Sequence, residues 1–143
     1  MSDDLYNRAI LDRAKAATGA GSLPSPQARI TVDNPLCGDR VTMEVSLAGG
    51  RVSNLAHKVR GCALCQASAS IIGANALGRT AAELAAARDA LKDILGGQTT
   101  RAAPWPDLAL FAPAREHRSR HDCVLLPWEA LDQAMGEAAK AGG

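Results

Sequence analysis

Large aromatic rings are nearly absent from this chain, which has one Phe, one Tyr and two Trp among 143 residues. Ring packing therefore cannot supply most of the core, which has to be assembled from Ala, Leu, Val and Ile. Small side chains bury little area apiece, so a staple such as a bound metal would add useful stability. A surplus of either charge is missing too. With 16 Lys+Arg against 15 Asp+Glu, the chain lacks the basic excess of a nucleic-acid binder. Nor is there a long apolar run. The longest uncharged stretch, residues 61–78 (GCALCQASASIIGANALG), is interrupted by Gln66, Ser68, Ser70 and Asn75, and is too polar and short to span a bilayer. The opening segment MSDDLYNRAILDRAKAATGA starts with acids and stays charged, unlike a secretory signal. These absences argue against nucleic-acid and membrane partners and point to the cytoplasm.

What remains fits one α+β domain over residues 1–143. A hydrophobic share of 47% is too high for a disordered chain. Residues 3–17 carry helical spacing, with Ser2 or Asp3 as cap and Tyr6, Ile10, Ala14 and Ala17 on one face. Residues 19–26 are rich in Gly, Ser and Pro and end that helix. The period then changes to two. Ile30 and Val32, and then Val41, Met43, Val45 and Leu47, alternate with polar residues. Gly49-Gly50 marks a hairpin turn, and residues 52–60 read as the returning strand. The alternation predicts a three-stranded antiparallel sheet with one solvated face.

Helical patterns follow. Residues 63–77 are small and apolar, with Gly78 as a stop. Thr80 and Glu83 have capping-box spacing, and Leu84, Ala87, Leu91 and Leu95 form the buried stripe behind them. Residues 98–120 hold Pro104, Pro106, Pro113 and a basic run (Arg115, His117, Arg118, Arg120, His121), and read as a long loop with one short helix. Pro127 suits the first turn of a last helix that carries Leu131, Ala134 and Ala138 inward. About four to five helices would thus pack with the sheet. Trp105 and Trp128 are expected as packing anchors, and His57 as a hydrogen-bonded sheet residue rather than a ligand.

The chemistry lies in the four cysteines. In a reducing compartment they suggest metal or thiol chemistry before disulfides. Cys37 and Asp39 stand two apart in a turn between strands, where a thiolate and a carboxylate can face one ion. Cys62 and Cys65 stand three apart where a strand gives way to a helix, whose amides and dipole would favour thiolates. Cys123, ahead of the last helix, follows Arg120, which could support a thiolate. Three thiolates and a carboxylate suit tetrahedral Zn²⁺ or an iron–sulfur cluster. Cys62–Cys65 also has the spacing of a redox pair, though no βαβ pattern surrounds it. Cys65 could be a further ligand, a relay thiol or an apolar filler. No serine-based triad, phosphate-binding glycine loop or pair of catalytic carboxylates is visible.

Three segments in order, DNPLCGDRVTMEV, VRGCALCQASASIIGANALG and RHDCVLLPWEALDQAM, resemble the NifU N-terminal/IscU/SufU family of iron–sulfur cluster assembly proteins over roughly residues 5–138. The resemblance implies an α+β fold with a three-stranded antiparallel sheet and metal ligands at Cys37, Asp39, Cys62 and Cys123. Within the family the chain looks closest to the SufU-type branch. The residue before the last family cysteine is Asp122 rather than His, Arg120 stands three residues before it, and residues 98–120 resemble that branch's insertion. Cys65 departs from the family pattern, which has a small residue there. By resemblance, the protein would be a zinc-dependent acceptor of persulfide sulfur from a SufS-type cysteine desulfurase, passing it to the SUF scaffold complex. Cys37 would accept the sulfur, Asp39, Cys62 and Cys123 would hold zinc, and Arg120 would support the thiolate. The alternative is a scaffold on which an iron–sulfur cluster is assembled on Cys37, Cys62 and Cys123.

Overall fold

Alternating β-branched and linear apolar side chains give the molecule its central sheet. The structure, a computed structural model, describes residues 7–35, 38–97 and 105–141. Strands β1 (Ala28–Asn34), β2 (Asp39–Ala48) and β3 (Arg51–Arg60) pair antiparallel in the order β1-β2-β3. Their register sets Ile30 and His57 on either side of Met43, and Val32 and Val59 on either side of Val41. Val41, Met43, Val45 and Leu47 therefore share one face, and all are buried. The β2–β3 turn uses Gly49 and Gly50 at φ 61° and 78°, the left-handed backbone that a tight hairpin needs. On the opposite face the Thr31 and Thr42 hydroxyls meet at 2.9 Å and Arg40 pairs with Asp33 at 2.6 Å.

Glu44 departs from that polar alternation. It is only 3% exposed, because its carboxylate accepts the Leu23 amide and the Arg29 guanidinium, each at 2.6 Å. Burial pushes its pKa up, but those two donors outweigh burial and hold it below the usual carboxylate value. The segment ahead of β1 is thereby tied across the sheet.

The helices cover the apolar face. Helix α1 (Arg8–Ala16) is capped by Asn7, whose side chain accepts the Ile10 amide. It starts later than the expected residue 3, and Ser2, Asp3 and Tyr6 lie outside the described residues. Helix α2 (Ala63–Asn75) follows β3, and α3 (Ala81–Leu95) opens with the expected capping box between Thr80 and Glu83. Leu84, Ala87, Leu91 and Leu95 are buried as the spacing predicts.

The segment expected to be mostly loop is more regular than that. Pro106–Glu116 forms a 3₁₀ helix, while residues 98–104 lie outside the described residues. Trp105, Leu108, Phe111 and Ala114 are all buried at intervals of three, the 3₁₀ repeat that eclipses side chains on one face. Helix α4 (Arg118–Lys140) then starts nine residues before Pro127, which lies inside it rather than in its first turn. Trp105 and Trp128 pack at 5.3 Å between ring centroids, joining the start of the 3₁₀ helix to α4.

Residues 18–21 thread between α2 and β3. The Thr18 amide donates to Ser70 Oγ at 3.0 Å, the His57 amide to Gly19 O and the Gly21 amide to His57 O. His57 is 3% exposed, and its Nε2 donates to the Thr18 carbonyl at 2.8 Å. That bond places the proton on Nε2, and buried Nδ1 has no partner among the described residues. Burial therefore pushes the His57 pKa down, against the smaller upward pull of the Thr18 carbonyl. The unfolded chain takes up this proton near the ordinary value of about 6.5, whereas the folded chain resists it. The stability it contributes is complete above that value and is lost as pH falls toward the depressed folded pKa. Urea unfolding of the metal-free protein should accordingly show falling stability as pH drops from about 7 to 5.5, and His57→Gln should flatten the profile. Equal slopes in both proteins would refute this account of His57.

Candidate metal centre

Three chain reversals converge at one end of the sheet. Asp39 opens β2, opposite Asn34 of β1, and is only 4% exposed. Cys62 is the N-cap of α2 and accepts no side-chain capping bond there, which leaves its sulfur for other work. Cys123 is fully buried in the second turn of α4. One ligand atom from each of Asp39, Cys62 and Cys123 lies within 4.8 Å of the other two. Tetrahedral Zn²⁺, with bonds of about 2.0–2.3 Å, needs ligand atoms about 3.5–3.8 Å apart. Two sulfurs and one oxygen at this spacing fit such an ion after small side-chain adjustments. The fourth expected ligand, Cys37, lies outside the described residues, two positions before Asp39 in the chain.

The Asp39 carboxylate is held by the Cys62 residue itself. Oδ1 accepts the Cys62 amide at 3.3 Å, and Oδ2 lies 3.7 Å from Cys62 Sγ. One oxygen is thus engaged by backbone while the other faces the thiols. The neighbouring Gly61 carbonyl accepts Gln66 Nε2 at 2.9 Å, anchoring the turn to the first helical residues of α2.

Cys123 is positioned by α4, and two features of that helix were not visible in the sequence. Pro127 has no amide to offer the carbonyl of Cys123 four residues earlier. One residue on, the Ser68 hydroxyl donates to Val124 O at 2.6 Å and accepts Trp128 Nε1 at 3.0 Å. All of these groups are buried, so α2 and α4 are locked together beside the ligands. Gln66 and Ser68 had a signal, being polar residues inside an otherwise apolar helix, though nothing in the sequence named their partners.

Cys65 does not join this group. It lies in the hydrophobic core at 0% exposure, so the two sulfurs of the C-x-x-C pair diverge: Cys62 caps the helix and Cys65 points inward. None of Cys62, Cys65 and Cys123 is in a disulfide. Arg120 is half-buried in the first turn of α4, three residues before Cys123 and so on a neighbouring position of the same helix face. His121 Nε2 donates instead toward the Ala114 and Arg115 carbonyls, away from the ligands, and Asp122 is exposed.

Of the three candidate ligands, Asp39 alone borders an open cavity. Asp33, Asn34, Pro35, Gly38, Asp39, Arg40 and Arg60 line a solvent-open cavity of about 330 Å³. Asp39 is buried, whereas Arg40 and Arg60 are exposed, and Arg40 is already paired with Asp33.

Residues 5–137 match the NifU-like N-terminal domain family. The chain belongs to that family. Among curated proteins it is 27% identical over 138 residues to the "iron–sulfur cluster assembly scaffold protein IscU" of Streptococcus pyogenes, covering 96% of this chain and 86% of that one. It is 26% identical over 142 residues to the "zinc-dependent sulfurtransferase SufU" of Bacillus subtilis, covering 99% and 95%. Its fold superposes with a TM-score of 0.91, at 36% identity and 97% coverage of each chain, on the crystal structure of a nitrogen-fixing NifU-like protein (N-terminal) from Brucella abortus. The α+β class and three-stranded sheet expected from the resemblance are the fold observed. Among the described residues no helix is long and apolar enough to cross a membrane.

Proposed function

We propose that this NifU-like domain is an iron–sulfur cluster assembly protein that accepts persulfide sulfur from a SufS-type cysteine desulfurase at a zinc centre. The observation that carries the reading is the convergence of Asp39, Cys62 and Cys123 two residues from Cys37. The likeness to a named zinc-dependent sulfurtransferase along nearly its whole length supports it. A bound Zn²⁺ would keep the thiols deprotonated near neutral pH and shield them from oxidation.

The chain's own residues account for the rest. Asp39, Cys62 and Cys123 hold the metal, and Cys37 is the acceptor. The Cys37 thiolate attacks the outer sulfur of the donor persulfide. The donor's S–S bond breaks, its cysteine leaves as a thiolate, and the persulfide with its proton is carried on Cys37. Sulfur oxidation states exchange between the two proteins, and no external oxidant is required. Arg60, exposed beside the cavity that Asp39 borders, would favour an anionic sulfur donor. Arg118 and Arg120 carry positive charge in the first turn of α4, where the helix dipole disfavours cations by about 0.3–1 kcal/mol. Arg120, three residues before Cys123 on α4, would support its thiolate. Cys65, sealed in the core, serves packing. From here the sulfur would pass to the SUF scaffold complex in the cytoplasm.

The scaffold reading draws on the name of the Streptococcus relative. Metal analysis after anaerobic purification separates the two: one tightly held zinc per chain supports sulfur transfer, and labile iron with sulfide supports scaffolding. In desulfurase assays, Cys37→Ala should abolish any stimulation given by the wild-type chain, and retained stimulation would sink the assignment of Cys37.

A further inference from the structure

Gly61, directly ahead of Cys62, has an ordinary backbone conformation, since its φ is not among the positive values. Left-handed geometry therefore does not explain a glycine at this position. Space does. A Cβ placed on Gly61 would lie 2.7 Å from both Cγ and Oδ1 of Asp39 and 3.1 Å from its Cβ. Contacts under about 3 Å between such atoms are strongly repulsive, and this one falls on the carboxyl carbon itself. Asp39 is buried and hydrogen-bonded to the Cys62 amide, so its side chain has little room to retreat without giving up that bond.

We propose that Gly61 is a positioning residue for the metal centre, and that its missing side chain is the space in which the Asp39 carboxylate stands. The inference rests on the zinc reading above and deepens it. Two restraints act on one carboxylate. The Cys62 amide engages Oδ1, and the carboxylate occupies the space that a Gly61 side chain would need. Oδ2 is left to face Cys62 Sγ, so Asp39 is presented as a ligand through one oxygen. The Gln66 bond to the Gly61 carbonyl keeps that peptide from swinging away. A methyl group at position 61 turns Oδ2 out of the group formed with Cys62 and Cys123 without altering any ligand residue.

The test uses the full chain in four forms: wild type, Gly61→Ala, Asp39→Ala, and both together. Zinc affinity is measured by chelator competition. Cobalt(II) substitution then reports the ligand field from its visible bands, a readout that loss of packing alone would not move. Gly61→Ala should weaken zinc by about 10- to 100-fold, as loss of an orienting partner typically does, and should shift the cobalt bands toward those of Asp39→Ala. The double variant should bind zinc within about twofold of Asp39→Ala, because the clash has no target once the carboxylate is gone. If Gly61→Ala proves too unstable to assay, Asp39→Ala should restore its thermal unfolding in the double variant. Wild-type affinity and spectrum in Gly61→Ala, additive losses in the double variant, or instability that Asp39→Ala does not relieve would each overturn the inference. Failure of the wild type to bind zinc at all would instead overturn the zinc reading beneath it.

Discussion

Cys123→Ala should remove the zinc response of the protein, while Cys65→Ala should leave it intact. The two cysteines are equally buried, at 0% exposure, so burial alone would predict similar outcomes. Their surroundings differ. Cys123 Sγ lies within 4.8 Å of ligand atoms of Asp39 and Cys62, whereas Cys65 is packed in the hydrophobic core. Ligand loss should weaken zinc by at least the ~100-fold seen at the upper end for outer-shell partners. At zinc one hundred times the wild-type dissociation constant, binding stabilises the folded chain by about 2.7 kcal/mol. A 100-fold weaker site at the same zinc concentration retains only about 0.4 kcal/mol. For a chain of this length that difference is about 7 °C in the zinc-dependent part of Tm. Cys65→Ala should instead destabilise the chain by about 1 kcal/mol, the scale of a small core truncation, and so lower Tm equally with and without zinc. Differential scanning fluorimetry with and without zinc reads both variants. A full zinc shift in Cys123→Ala, or its loss in Cys65→Ala, would reverse the ligand assignment.

Gly73→Ala should be the most damaging change outside the metal centre. By helix propensity alone it would stabilise α2 by about 1 kcal/mol. However, a Cβ at this position would overlap the Thr18 carbonyl oxygen and lie 2.7 Å from its carbon. That obstacle is backbone, and it is held from the other side by His57 Nε2 at 2.8 Å. The residue 18–21 segment would have to lift off α2. Lifting strains the Thr18–Ser70 bond and the backbone bonds joining Gly19 and Gly21 to His57. Overpacking in cores costs about 1–3 kcal/mol, and loss of one or two buried hydrogen bonds adds about 1–3 kcal/mol. The net expectation is destabilisation by about 2–4 kcal/mol in urea unfolding, with α1 released earliest in hydrogen exchange. A variant as stable as wild type, or more so, would show that residues 18–21 do not lie against α2 as described.

The parts of this protein legible in its sequence are those where one local rule operates alone. Val41, Met43, Val45 and Leu47 alternate over four cycles, and Gly49-Gly50 closes the hairpin behind them, so the sheet and its buried face could be read directly. Thr80 and Glu83 satisfy each other's amides within one turn and depend on nothing distant. The grouping of Asp39, Cys62 and Cys123 was legible for a different reason, since the segments that hold them carry the resemblance to the NifU/IscU/SufU family, whereas Cys37 lies outside the described residues.

What could not be read depends on tertiary partners. Pro127 looks like a helix start because proline is favoured in the first turn, yet here it stands mid-helix beside the Ser68 bond to Val124. The prolines at 106 and 113 read as loop, whereas burial at every third residue from Trp105 to Ala114 holds a 3₁₀ helix around them. Glu44 alternates like a solvated residue, but Leu23 and Arg29 close over it. Cys65 shares a C-x-x-C motif with Cys62, and only the start of α2 at Ala63 sends the two sulfurs in different directions. Gly61 could not be distinguished from a turn glycine until Asp39 was seen against it.

The central claim, that Cys37 at this centre accepts sulfur, is tested most directly by mass spectrometry of the zinc-loaded chain after incubation with a SufS-type desulfurase and cysteine. The peptide carrying Cys37 should gain one sulfur atom, removed by reductant and absent from Cys37→Ala. Sulfur found instead on Cys65, or no sulfur on a zinc-loaded chain beside an actively turning-over desulfurase, would contradict it.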